Sequence, residues 1–125
     1  DIAAGVTPEQ FLEQFKELHQ KLHQALPETR LYVLGIVPSP GKRFEKWDLI
    51  KRANENLKAE CAGKPLLTYL DTTSPLLGAD GQPKMDCFLP KNIHLNATGY
   101  NVWTSVIRPV VMPVETKFEP KPSSR

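Results

Sequence analysis

The stretch FLPKNIHLNATGYNVW, residues 88–103, places His94 in a short polar turn just ahead of an amphipathic helix. A histidine there could carry a proton as general base and then general acid. That chemistry needs a nucleophile to receive the benefit and a partner to orient the ring. Ser39 is no such nucleophile: it lies between two prolines and lacks the strand–turn–helix elbow and flanking glycines. Other chemistry-bearing residues have plainer readings. His19 and His23 share a helix face at i, i+4, a spacing that can bind a metal, but without a third ligand they read as a solvated face. Cys61 and Cys87 have no CxxC or Cys/His metal spacing, and their separation in sequence leaves open whether they approach each other. Asp71 ends a strand pattern and reads as a loop-capping carboxylate, although α/β sites gather at that edge. Asn96 begins an Asn-Ala-Thr sequon and is expected to act as a helix N-cap.

The elements that must position these residues are legible in the pattern. Thr7, Pro8 and Gln10 supply a hydroxyl N-cap, a proline at the first helical position and the amide of a capping box. Phe11, Phe15, Leu18 and Leu22 then recur at helical spacing up to a stop at Pro27. RLYVLGIV, residues 30–37, is an apolar run rich in β-formers and fits a strand covered on both faces. A second helix is expected over about 44–62, carrying Trp47, Ile50, Leu57 and Cys61 on one face, with polar Asn54 interrupting it and Gly63 ending it. LLTYLD, residues 66–71, is the second strand, followed by a loop with an Asp80-Gly81 turn. A third helix starts at Asn96, carries Tyr100, Trp103, Val106 and Ile107 on a core-facing stripe, and is expected to end at Pro109. Residues 113–125, proline-diluted and of mixed charge, are expected to be extended or disordered.

The chain has 125 residues, the size of one small domain, and its net charge of +2 is spread over interspersed Lys, Arg, Asp and Glu. That distribution gives no basis for nucleic-acid binding, and no run is long enough to span a bilayer. Compartment is left open. Helix–strand–helix–strand–helix with helix-length crossovers argues for a parallel α/β sheet with helices on both faces. Two strands leave a long apolar edge, so a missing segment, another copy of the chain or a swapped strand is expected to cover it. The opening at Asp1, without methionine, reads as a cut inside something longer.

These residues carry a resemblance. DIAAGVTPEQF, PSPGKRFEKWDLIKRANENL, YLDTTSPLLGADGQP and IHLNATGYNVW are similar, in that order, to segments of the C-terminal half of SGNH (GDSL-like) hydrolases, in part of a bacterial branch. The resemblance implies a flavodoxin-like, three-layer α/β fold of which two strands and three helices are present. Residues 1–112 would be the C-terminal half of that domain. It further implies carboxylic ester hydrolysis by a serine nucleophile, with no metal or organic cofactor, and an acyl ester as substrate. His94 would be the catalytic histidine and Asp1 the last residue of the third block. The serine and the oxyanion-hole Gly and Asn would lie upstream of Asp1, in a segment of roughly 65 residues or more by ordinary element lengths. One position departs from the family: Lys91 stands where an Asp usually orients the histidine. An ammonium there opposes the imidazolium that a serine hydrolase must form. Asp86 or a backbone carbonyl could take over the orienting role. The competing expectation is a non-catalytic pseudo-esterase or interaction module, with a strand-exchanged oligomer as one form of it.

Overall fold

The computed structural model describes residues 2–118. Asp1, with its reading as a remnant of the third block, and the tail beyond Phe118 lie outside the described residues.

Helix α1 spans Pro8–Ala25 and starts as its sequence dictates. The Thr7 hydroxyl accepts from Gln10 N–H at 3.1 Å, and the Gln10 amide oxygen accepts from Thr7 N–H at 3.0 Å. Strand β1 is Leu31–Leu34 and strand β2 is Leu67–Leu70, each shorter than its apolar run. They pair in parallel, Leu31 opposite Leu67 through Leu34 opposite Leu70. Helix α2, Trp47–Cys61, connects them and is preceded by a 3₁₀ turn at Gly41–Lys46.

Alternation along the strands sorts the layers. Leu31, Val33, Leu67 and Tyr69 face α1 and α2, meeting Phe11, Phe15, Leu57 and Cys61 in one apolar cluster. Tyr32 faces the other way, toward helix α3, Ala97–Glu115, where its hydroxyl donates to Glu115 at 2.8 Å. The molecule is thus an α/β layer structure, two parallel strands between helices on both faces. Cys61 and Cys87 are both free and buried, in separate clusters. Among the described residues no helix is long and apolar enough to cross a membrane.

Three expectations need correction. The third helix does not end at Pro109: it continues through Pro109 and Pro113 to Glu115, and a 3₁₀ turn follows at Thr116–Phe118. The residues read as extended from 113 are therefore helical as far as they are described. Both prolines are exposed, so the carbonyls deprived of an N–H partner can turn to water. The far end is also tied down, because Arg30 grips Glu115 with two donors at 2.6 and 2.9 Å. Tyr100 is not a core residue, since 54% of its surface is exposed. Finally, His19 is not on a solvated face. Its ring lies tilted against Phe15 and edge-on to His23, and it is 3.6 Å from Glu60 on α2. No cluster of three metal-binding side chains occurs among the described residues.

Among the described residues the sheet has no third strand. Leu31 and Gly35 donate to Leu66 and Leu70, so the alternate residues Tyr32 and Leu34 turn their backbone groups to the open side of β1.

Candidate active site

His94 is carried on an irregular hairpin that closes on itself. Phe88 bridges Leu95 in antiparallel fashion, Leu89 N–H donates to His94 C=O at 3.0 Å, and Asn96 N–H donates to Cys87 C=O at 3.0 Å. The turn at its tip runs Leu89-Pro90-Lys91-Asn92, with Asn92 N–H donating back to Leu89 C=O at 3.1 Å. Proline at its second position and a positive φ of 53° at Lys91, its third, are the pattern of a type II turn. That third position favours glycine or asparagine; a lysine there holds a left-handed conformation at a cost of about 1 kcal/mol or more. Beyond it the Asn92 side-chain oxygen accepts from the N–H of both Ile93 and His94, at 2.7 and 3.1 Å.

Two further anchors fix the hairpin to the body. The buried Ser39, just past the C-terminal end of β1, donates its hydroxyl to Ile93 C=O at 3.1 Å across 54 residues of sequence. At the other end Asn96 caps α3: its oxygen accepts from Gly99 N–H at 3.0 Å, and its amide donates to Asp86 and Phe88 carbonyls at 2.7 and 3.1 Å. Asn96 therefore has the structural role expected from its position. Gly99 is equally constrained, because a Cβ there would sit 2.3 Å from the Cys87 carbonyl oxygen. Trp103, one turn on, donates its indole N–H to Thr72 C=O at 3.2 Å and pins α3 to the end of β2.

The β1 side is braced by Asn54. Its oxygen accepts from Ile36 N–H at 2.7 Å and its amide donates to Ile36 C=O at 3.1 Å, satisfying the backbone just beyond the strand. This is why a polar residue interrupts the apolar face of α2. Thr73 donates to the same carbonyl at 3.1 Å. Asp71 caps the loop after β2, accepting from Thr73 and Ser74 N–H at 3.0 and 2.9 Å. Burial pushes its pKa up, but hydrogen bonds from Ser74 and Thr73 and the nearby Lys58 outweigh that, leaving it below the ordinary value.

Between these loops lies a cleft of about 360 Å³ at the C-terminal end of β1. Ile36, Val37 and Ser39 line it together with Ile93, His94 and Leu95, and Tyr100, Trp103 and Arg43 line it as well. His94 is exposed, and among the described residues its imidazole has no hydrogen bond or ion pair to a carboxylate. Asp86 makes none with it; its carboxylate lies against the Cys87 thiol, whose pKa is raised by burial first and by Asp86 second. Sequence reasoning did not find Ser39 as an anchor, Asn92 as the turn's acceptor, or Arg43 and Tyr100 as cleft walls. The signal available was a serine held between prolines directly after a strand.

An α/β sheet whose strand ends open onto a histidine-bearing loop and an apolar cleft has the layout of a ligand-binding site. The model of the GDSL-like Lipase/Acylhydrolase family matches residues 1–102, and the chain belongs to that family. No curated protein matches it.

Proposed function

We propose that His94 is the general base and acid of a serine carboxylic ester hydrolase, with the attacking serine and the oxyanion donors supplied from outside these 125 residues, upstream of Asp1. In that reading His94 takes the serine proton as its oxygen attacks the acyl carbon, then passes it to the departing alcohol. Water repeats the two transfers to release the acid and regenerate the serine. The observation that carries the reading is the position of His94: on a loop pinned by Ser39 and Asn92, at the strand ends, facing an apolar cleft. Membership of the GDSL-like family supports hydrolysis as the reaction class. The segment that completes the site would also cover the open side of β1, and a second chain of this kind co-purifying in a native mass measurement would identify it.

A second reading rests on Lys91. With a cation at the position of the usual Asp and no carboxylate on the imidazole among the described residues, the site would be a pseudo-esterase that binds without turning over. Turnover of p-nitrophenyl acetate by the protein with its complete domain separates the two. Esterase activity that falls about 10²–10⁴-fold in His94→Ala supports catalysis. No activity in the wild type, and none gained in Lys91→Asp, would leave the binding module; the lost carboxylate accounts for up to about 10⁴ in a comparable triad.

A further inference from the structure

The cleft beside His94 has a chemical bias that ester hydrolysis alone does not require. Its walls are mainly aliphatic and aromatic, and among the described lining residues there is no Asp or Glu, whereas Arg43 is there. Arg43 is exposed, and among the described residues it has no ion-pair partner, while Arg30 and Arg52 are bound to Glu115 and Glu9. Its placement is built rather than incidental. Pro40 and a positive-φ Gly41 open the 3₁₀ turn that carries it, and Phe44 stacks on Trp47 at 5.7 Å to hold that turn against α2. The Trp47 ring in turn packs with Ile50 and Ala53. A guanidinium offers planar paired donors that match a carboxylate.

We infer that the cleft is a binding site for an amphipathic carboxylate, with Arg43 holding the anionic group and the apolar walls holding a short alkyl or aryl body. The volume falls within the roughly 300–1,000 Å³ of small-molecule clefts, which favours a small ligand over a protein segment. Resting on the hydrolase reading, this ligand is the acid that ester cleavage releases, so the site retains its product. The binding itself needs no nucleophile and is measured on the protein with its complete domain.

The test is titration of isotope-labelled protein with hexanoate and, separately, hexan-1-ol, following the Trp103 indole and His94 backbone signals by NMR. Hexanoate is expected to bind at least tenfold more tightly than the alcohol, and butanoate more weakly than hexanoate by about threefold to fourfold per methylene. Arg43→Gln should abolish the preference for the acid, and Lys42→Gln, on the same turn but outside the cleft lining, should keep it. Both are exposed positions, and unchanged amide spectra elsewhere verify the fold. Equal affinity for acid and alcohol, no binding of either, or an acid preference that survives Arg43→Gln overturns the inference. Hexanoate binding with no esterase activity in the complete protein would keep this inference and sink the catalytic reading instead.

Discussion

Asn54→Ala is the sharpest test of how the cleft wall is held. Asn54 is 6% exposed, and its amide satisfies both backbone groups of Ile36, a residue that lines the cleft. The two bonds are worth about 1 kcal/mol each in net terms, and an orphaned buried N–H costs a further 1–3 kcal/mol where water cannot reach it. The carbonyl is less exposed to loss because Thr73 donates to it as well. The expected destabilisation is therefore about 2–4 kcal/mol for Asn54→Ala and about 1 kcal/mol for Thr73→Val. Urea unfolding followed by circular dichroism reads both, with equal slopes required for the comparison. The double variant strips the Ile36 carbonyl of both donors and should fall below the sum of the singles by at least about 0.5 kcal/mol. An Asn54→Ala cost under about 1 kcal/mol, or strict additivity, would refute the claim that this side chain holds the backbone just beyond β1.

Other consequences follow from single contacts. Gly99→Ala drives a methyl group into the Cys87 carbonyl and Leu95, so a loss of about 1–3 kcal/mol and a displaced histidine hairpin are expected in unfolding and NMR measurements. Ser39→Ala should double or broaden the imidazole signals of His94 while His19 and His23, which do not line that cleft, stay unchanged; Ser39→Thr should restore them. Glu115 is held at a pKa of about 2, below its ordinary 4.5, by Arg30 first and Tyr32 second. A depressed carboxylate stabilises the fold above its unfolded value and loses that effect as pH falls. The difference in melting temperature between wild type and Glu115→Gln should therefore be fully present above about pH 4.5 and shrink toward pH 2. A difference that is flat with pH would mean the Arg30 clasp contributes nothing through charge.

What was legible in the sequence was whatever local chemistry decides. The Thr7–Gln10 capping box, the Asn96 cap and both strand runs specify themselves within a few residues, and the structure places them accordingly. The end of α3 was not legible, because a proline signal at Pro109 is local whereas the contact that outweighs it, Arg30 with Glu115, spans 85 residues. Asn54 looked like a defect in an apolar stripe for the same reason. Its partner, the backbone of Ile36, belongs to another element. Tyr100 fell on the helical stripe with Trp103, yet only Trp103 finds a partner in the body of the molecule. Periodicity says which residues share a face; it does not say where the neighbouring layer stops.

The histidine loop separates two requirements that a general base normally meets together. Its backbone is heavily determined: Ser39 holds the Ile93 carbonyl, Asn92 the two following N–H groups, and Leu89 the His94 carbonyl. Its imidazole, by contrast, is exposed and has no acidic partner among the described residues. Such a loop fixes where the ring is attached without fixing which tautomer it presents, and the orienting partner in a triad acts on the second of these. Lys91 bears on both at once, since it occupies the one strained backbone position of the turn and, in the reading proposed above, stands at the position of the usual carboxylate. An aspartate there would relieve part of the strain, because Asp tolerates the left-handed region better than Lys. It would also return an acceptor to the turn that carries His94. Lys91→Asp should thus stabilise the fold by a few tenths to about 1 kcal/mol even if it restores no activity. Lys91→Asn gives the backbone gain without the charge, so turnover gained with Asp and not with Asn isolates the carboxylate as the missing part.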